Sequence, residues 1–302
     1  MNLLVFEEYI LRTLLYYEIF DHPLSLDELF QLFPKNSLSK SQFLNNIVAL
    51  VREKKVMESN GMYQASGNAK DLSEIRNKRE LYARKQLVIA KIMKHVIRRF
   101  PFVRGVFLSG ELSKHVATQK SDIDFVIVTS QKRLWVCRTL LILFKKTFLF
   151  NSKKYFCLNY FVSENNLEVE EHNYYTATEI AHLKPLSNFP LFLKFMNTNS
   201  WIKTYFPNYS LYEFVKEEPS EYSSWLQEVL EIFFPIRLTD SLDIFLMNTM
   251  KKIWANRYPQ YDERARERTF KSTNNESRAF VGNFGEKILT LYQTKLELHN
   301  LS

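Results

Sequence analysis

The 302-residue sequence predicts a mixed α+β fold, with a small helical unit, a central α/β region and a helical C-terminal region. Three observations predict this class. Apolar residues recur at helical spacing through most of the chain, a strong hairpin signal occurs near residue 60, and short apolar runs typical of strands alternate with helices between residues 101 and 175. At 46% hydrophobic, the chain can bury a core in two or three compact units.

Residues 1–70 have the pattern of a winged helix, which is three helices followed by a hairpin. Ser25 begins the second helix with a capping-box pattern, and Ser39 begins the third. The hairpin is predicted around Asn60-Gly61, because this dipeptide favours the turn between antiparallel strands. The unit has 7 basic and 8 acidic side chains. Since DNA-binding units need basic residues to neutralise phosphates, we favour packing or protein contact over DNA binding here. A winged-helix DNA regulator is a third hypothesis, which a steep salt dependence of DNA binding would support.

The rest of the chain divides into three segments. Residues 71–100 are predicted to form one long connector helix that ends at Pro101. Residues 101–175 alternate strand and helix signals, and we expect them to form an α/β domain. Beyond them the apolar spacing is that of helices, so residues 176–302 are predicted to be a helical C-terminal region.

Positive charge is concentrated on either side of one short stretch, residues 106–129. Residues 71–105 carry 10 basic and 3 acidic side chains, and residues 130–154 carry 7 basic side chains and no acidic one. This distribution favours a polyanionic partner such as a nucleotide or a nucleic acid. The alternative is that the basic residues are only the solvated faces of long helices.

Cysteine usage and hydropathy indicate the compartment. Cys137 and Cys157 both lie in apolar runs, where free thiols usually behave as core residues, and this suits the reducing cytoplasm. Charged residues interrupt both the N-terminal apolar stretch and residues 134–150, so neither has the roughly 20 apolar residues that span a bilayer. We therefore expect a cytoplasmic protein with no membrane partner.

The stretch from residue 106 to residue 129 carries the residues for chemistry. A strand ends at Ser109-Gly110 and runs directly into a helix, an arrangement that presents backbone N–H groups to a phosphate. Asp122 and Asp124 begin the next strand and are separated by one residue, so both carboxylates point to the same side of the sheet. Two carboxylates beside a phosphate site are how proteins hold Mg²⁺ against a nucleotide. The spacing therefore predicts a metal-dependent nucleotide site.

This stretch resembles the nucleotidyltransferase superfamily, which includes DNA polymerase beta, the antibiotic nucleotidyltransferases and the minimal nucleotidyltransferases. The shared pattern is an apolar strand, a Gly-Ser turn, and then Ser-Asp-x-Asp before a second apolar strand. Gly110 and the run from Ser121 to Asp124 match this pattern with its spacing kept. The resemblance covers about residues 101–165, roughly a fifth of the chain.

The resemblance implies a function and a set of site residues. The function is transfer of a nucleoside monophosphate from an NTP to an unknown acceptor, such as a nucleic acid or a protein. Asp122 and Asp124 are implied to be the catalytic residues that bind Mg²⁺ or Mn²⁺. The residues with an implied role at the phosphates are Ser109, Gly110, Lys114 and Ser121.

Three positions depart from the superfamily pattern. Glu111 stands where a serine follows the glycine, and its charge would weaken phosphate binding unless a metal or Lys114 compensates. His115 stands at the position of a second glycine. Asn159 stands at the position of a third carboxylate; its carbonyl oxygen is a possible metal ligand, although an amide cannot act as a base. Glu164 is a less favoured substitute for that carboxylate.

These departures leave a second hypothesis open. The chain is then a catalytically inactive member of the fold, a pseudoenzyme that binds a nucleotide or a nucleic acid in a regulatory role. Replacing Asn159 with aspartate discriminates the two hypotheses, because only a weakened enzyme would gain transfer from a restored carboxylate.

Overall fold

The protein has a mixed α+β fold, as the sequence predicts. The computed structural model describes residues 1–67, 70–211, 225–279 and 282–301. Among the described residues are 12 α-helices and two β-sheets, and helices make up 55% and strands 13% of the structure. The smaller sheet belongs to the N-terminal unit, and the larger sheet carries the candidate site.

The N-terminal unit contains the helices and the hairpin predicted for it. Its elements are α1 (Leu3–Glu18), β1 (Leu24–Ser25), α2 (Leu26–Gln31), α3 (Lys40–Arg52), β2 (Val56–Ser59) and β3 (Met62–Ala65). The side chains of Ser25 and Ser39 accept hydrogen bonds from the backbone of Glu28 and Gln42, so both helices begin with complete capping boxes. The two-residue strand β1 was not predicted, and it completes a three-stranded sheet in the order β1-β3-β2.

The helix α4 (Leu72–Ile97) connects this unit to the larger sheet, as predicted. A buried ion pair fixes α4 against the N-terminal unit: Nη1 and Nη2 of Arg76 lie 2.7 Å and 2.9 Å from the carboxylate oxygens of Glu28. Nη1 of Arg76 also donates to the carbonyl oxygen of Pro23. The connector helix is therefore anchored at its first turns.

The larger sheet has five strands. They are β4 (Val103–Ser109), β5 (Asp124–Thr129), β6 (Cys157–Ser163), β7 (Lys184–Ser187) and β8 (Glu276–Arg278). The order is β7-β4-β5-β6-β8, and β5 is antiparallel to β4 and parallel to β6. The strands β4 to β6 lie in the predicted α/β segment, but β5 begins at Asp124, two residues later than predicted, so Asp122 precedes the strand instead of beginning it. The edge strands β7 and β8 lie in residues 176–302, where the sequence predicts only helices, so the sheet extends beyond the predicted α/β segment.

Helices connect these strands and make up most of the rest of the described chain. They are α5 (Gly110–Ser113), α6 (Leu134–Phe148), α7 (Tyr174–Ala181), α8 (Phe189–Thr198), α9 (Trp225–Ile232), α10 (Ile236–Arg257), α11 (Glu263–Thr269) and α12 (Phe284–Leu298). The helix α5, which the sequence predicts directly after Ser109-Gly110, is only one turn long. It ends early because His115 takes a left-handed backbone conformation, with φ at +57°.

Two hydrophobic clusters form the core, one on each face of the larger sheet. Phe107 belongs to the cluster that includes the apolar residues of the N-terminal helices. Val106 and Leu108, its neighbours on β4, belong to the cluster that includes α4 and α6. Neighbouring residues divide in this way because successive side chains of a strand point to opposite faces. The N-terminal unit therefore shares a core with the larger sheet.

Candidate functional site

The candidate site lies at one edge of the larger sheet, where β4 ends and β5 and β6 begin. Ser109 is paired with Asp124 across the antiparallel strands, and Asp124 is paired with Cys157 on its other side. The end of β4 and the starts of β5 and β6 thus form one row across three strands. The pairing of β4 with β5 brings the Ser109-Gly110 turn to the predicted carboxylates.

Gly110 is suited to its place by both its backbone and its neighbour. Its φ of +69° lies in the left-handed region, which glycine adopts without strain. A Cβ atom at this position would lie 2.6 Å from Oδ2 of Asp124, well inside contact distance. The turn after β4 is therefore packed directly against one carboxylate of the predicted pair.

Asp124 lies in an environment that disfavours its charge. Burial raises the pKa of this carboxyl, and the carboxylates of Asp122 and Glu179 raise it further. A hydrogen bond with the Cys157 thiol and the ammonium group of Lys114 act in the opposite direction. Because burial is the largest cause, the thiol and the ammonium group do not offset the cost of holding this charge away from water.

Cys157 supports Asp124 as a neutral thiol. Burial, followed by the carboxylate of Asp124, raises the pKa of the thiol well above its usual value. Asn159, the predicted third ligand, donates a hydrogen bond from Nδ2 to Sγ of Cys157 across 2.9 Å. Asn159 therefore contacts the candidate site through Cys157, which is paired with Asp124.

Residues of β6 do not supply a third carboxylate. Glu164 follows the opposite end of β6 from Cys157, about 20 Å away for a strand of this length. Its backbone N–H donates to the carbonyl oxygen of Thr129, the last residue of β5. Within the described ranges, no group of three His, Cys, Asp or Glu side chains is arranged to hold a metal ion.

Lys114 lies against the Gly110 turn and pairs with a carboxylate that the sequence did not reveal. Its Nζ lies 2.8 Å from Oε1 of Glu179 and 3.4 Å from the carbonyl oxygen of Gly110. Glu179 is on α7, far along the chain, and only the packing of that helix brings it close to Asp124. No local pattern in the sequence could have identified it.

The carboxylate of Glu111 is balanced by a residue of the connector helix. Nη2 of Arg79 lies 2.8 Å from Oε1 of Glu111, and the hydroxyl of Ser121 donates to Oε2. The same hydroxyl accepts a hydrogen bond from the backbone N–H of Thr118 at 2.7 Å. The compensation expected from a metal or from Lys114 is therefore provided by Arg79. Ser121 is buried, and its hydroxyl links the loop before β5, through Thr118, to Glu111 in α5.

His115 stands where the superfamily often has its second glycine. Its φ of +57° is a conformation that non-glycine residues adopt at a cost, so the backbone here keeps the shape that favours glycine. The ring of His115 is bonded through Nε2 to Nζ of Lys184 on β7. The histidine therefore adds a contact to the edge strand of the sheet.

Comparisons with protein-family models, with curated proteins and with solved structures find no match for this chain. Across the described residues, no helix is both long enough and apolar enough to span a membrane. The residues at the edge of the larger sheet are therefore the basis for assigning a function.

Proposed function

We propose that the protein is a metal-dependent nucleotidyltransferase, which transfers a nucleoside monophosphate from an NTP to an acceptor such as a nucleic acid or a protein. The observation that carries this proposal is the direct packing of the Gly110 turn against Asp124, beside Asp122. A strand-end glycine and a carboxylate pair are the two parts of the superfamily pattern. Their meeting at one sheet edge supports a shared role.

The donor set at this edge fits Mg²⁺ or Mn²⁺. Carboxylate oxygens are the hard ligands that these ions prefer, and Asp122 and Asp124 would hold the ion. The raised pKa of Asp124 supports this assignment, because a cation would balance charge in a site where burial disfavours it. When bound, such an ion neutralises charge on the phosphoryl group that is transferred.

The other predicted residues have positioning roles in this proposal. Lys114 holds its ammonium group beside the carbonyl oxygen of Gly110, close to where the NTP phosphates are expected. Ser109 precedes that turn at the end of β4. Ser121 acts indirectly, because its hydroxyl is bonded within the protein. Asn159 would contribute its carbonyl oxygen, since its amide nitrogen is bonded to a thiol.

One observation favours a second function, which is binding of a nucleotide or a nucleic acid without transfer. The position of the third carboxylate holds Asn159, and an amide cannot accept the proton of an attacking hydroxyl. The described residues also lack a three-ligand metal group. A protein with this site would act as a regulatory module.

We also propose a cytoplasmic location. Cys137 and Cys157 are both buried and unpaired, as is usual in a reducing compartment. Burial raises the pKa of both thiols, which keeps them in the unreactive protonated form.

Thermal unfolding with each NTP, with and without Mg²⁺ or Mn²⁺, tests for a nucleotide site. A ligand at a hundred times its dissociation constant adds about 2.7 kcal/mol to the free energy of unfolding, which raises Tm by several degrees. We expect a metal-dependent shift for the wild-type protein that is lost in Asp124→Asn. The control Asp27→Asn should keep the shift, because Asp27 forms only an exposed ion pair with Lys40. No shift with any NTP would contradict the proposal.

Pyrophosphate release from the bound NTP, measured with water as the acceptor of the nucleoside monophosphate, then separates transfer from binding. We expect slow release by the wild-type protein and faster release by Asn159→Asp, because the new carboxylate can act as a base. Asn274→Asp adds the same charge at an exposed position and should leave the rate unchanged. If the wild-type protein binds an NTP but neither it nor Asn159→Asp releases pyrophosphate, transfer to water is refuted and the binding function is favoured.

A further inference from the structure

The core-facing side of α6 carries two cations among apolar residues. The buried residues that share this side are Leu134, Cys137, Arg138, Leu141 and Lys145. Arg138 is 8% exposed and Lys145 is 6% exposed. Their spacing of seven residues places them on the same side of the helix, about 10.5 Å apart along its axis. Basic side chains are rarely buried to this degree unless they are paired.

Neither cation is paired with an acid. In the described parts of the chain, no carboxylate forms an ion pair with Arg138 or Lys145, and no protein group accepts a hydrogen bond from either side chain. Other buried arginines do have such partners: Arg76 is bonded to Glu28, and Arg278 is bonded to Glu171. Burial consequently lowers the pKa of Arg138 to about 10 and also lowers the pKa of Lys145.

Aromatic rings surround the guanidinium group of Arg138. Its central carbon lies 5.1 Å from the ring centre of Trp254, 5.6 Å from that of Trp135 and 5.9 Å from that of Phe161. These contacts attract the cation but do not accept its N–H groups in the way that an oxygen does. The nitrogen atoms of Arg138 and Lys145 are not among the fully buried unpaired atoms, so solvent reaches them. Both cations therefore keep some contact with solvent at their nitrogen atoms.

Lys145 lies on the opposite side of the carboxylate pair from the Gly110 turn, and Arg138 lies two helical turns earlier in α6, over the ring of Phe161 on β6. Lys145 is in the last turn of α6, and its charge interacts with Asp122 and with Cys157, the first residue of β6. Gly110 follows β4, on the other side of β5. The proposed NTP phosphates occupy the β4 side, so the β6 side is left for the acceptor.

We infer that Arg138 and Lys145 form a binding site for a phosphate group of the acceptor substrate, which is therefore a phosphorylated compound. The phosphate would supply the hydrogen-bond acceptors and the negative charge that these two buried side chains lack. The assignment of this site to the acceptor rests on the proposed function. Binding of an anion at the site does not, because it requires no metal ion and no NTP.

Inorganic tripolyphosphate in the presence of EDTA is the probe, because its length suits two cations two helical turns apart. Thermal unfolding and tryptophan fluorescence are measured at constant ionic strength for the wild-type protein, Arg138→Met, Lys145→Met and Lys146→Met. Lys146 is the adjacent, exposed residue of α6 and carries the same charge, so its replacement is the matched control. The variant Lys145→Arg keeps the charge and provides a test of rescue.

We expect tripolyphosphate to raise the Tm of the wild-type protein, Lys146→Met and Lys145→Arg, and to change the fluorescence of the tryptophans next to Arg138. Arg138→Met and Lys145→Met should bind at least about tenfold more weakly, because each loses a charge-assisted contact. Without the probe, both methionine variants should have a Tm at or above that of the wild-type protein, since they remove an unpaired buried charge. Equal stabilisation of all the proteins, or none of the wild-type protein, would overturn the inference. If tripolyphosphate binds as expected but no NTP raises the Tm, only the assignment of this site to an acceptor is refuted.

Discussion

Replacement of Gly110 by alanine tests whether the turn after β4 positions Asp124. The new Cβ would lie 2.6 Å from Oδ2 of Asp124, whereas ordinary contact begins at about 3.4 Å, so the carboxylate must move. The left-handed backbone adds a cost of about 1–2 kcal/mol for a residue other than glycine. We expect Gly110→Ala to lower the free energy of unfolding by more than this backbone cost and to abolish the metal-dependent NTP shift.

Gly61→Ala is the matched control for Gly110→Ala. Gly61 has a similar φ of +74°, and no atom lies within 4 Å of the position of its Cβ. Both variants therefore incur the backbone cost, but only Gly110→Ala displaces a carboxylate. The free energy of unfolding is measured with urea, and NTP binding by the shift in Tm with Mn²⁺. If both variants lose the same stability and both keep the NTP shift, then Gly110 does not position Asp124.

Three further predictions concern the start of α6, the Gly110 turn and the N-terminal unit. Asp243→Ala should lower the free energy of unfolding by about 2–3 kcal/mol, because Oδ1 accepts hydrogen bonds from the backbone N–H groups that begin α6, and these would be left buried and unpaired. Arg79→Met should weaken NTP binding, because it leaves the charge of Glu111 unbalanced beside the Gly110 turn. His22→Leu should make the free energy of unfolding depend less on pH. Burial lowers the pKa of His22 to about 3 in the folded protein. Below about pH 6.5 the unfolded chain therefore takes up a proton at His22 that the folded protein does not, and this destabilises the folded protein.

A control variant for each of these three substitutions tests the stated cause. Asp243→Asn keeps an acceptor oxygen and should cost less than Asp243→Ala in urea unfolding; an equal cost would show that the hydrogen bonds are unimportant. Arg79→Lys should retain part of the NTP affinity, and equal loss in both variants would argue against a role of charge. As the pH is lowered from 6 to 4, the free energy of unfolding should fall more steeply for the wild-type protein than for His22→Leu. The difference in slope should be up to about 1.4 kcal/mol per pH unit. Identical slopes would contradict the pKa assignment, and the exposed His299→Leu is the control.

Local sequence signals predicted most of the fold, because they describe interactions between residues close in the chain. The capping box at Ser25, the start of the third helix at Ser39 and the hairpin at Asn60-Gly61 all occur in the structure. The strands β7 and β8 were missed for a physical reason. They are short edge strands, with sequences KPLS and ESR, and they are held by backbone pairing with the sheet rather than by an apolar pattern of their own.

The residues of the candidate site also differ in whether the sequence could predict them. The close relation of Gly110 and Asp124 could be predicted, because a strand end and the start of its antiparallel neighbour belong to one local motif. Glu179 and Arg79 could not be predicted, since each reaches the site from a separate helix and has no sequence spacing that relates it to the motif. The burial of Arg138 was likewise missed, because α6 also carries apolar residues on its exposed side, such as Leu143 and Phe148, so its apolar pattern does not mark one side as buried.

The departures from the superfamily pattern bear on whether the site still functions. Glu111 is bonded to both Arg79 and Ser121, and His115 is bonded to Lys184. Glu111 and His115 are both exposed, so neither side chain needs a protein partner to offset a cost of burial. Their bonds instead hold the turn after β4 against α4 and β7. Under the proposed function, transfer then depends on Asn159, because an amide cannot accept the proton of an attacking hydroxyl.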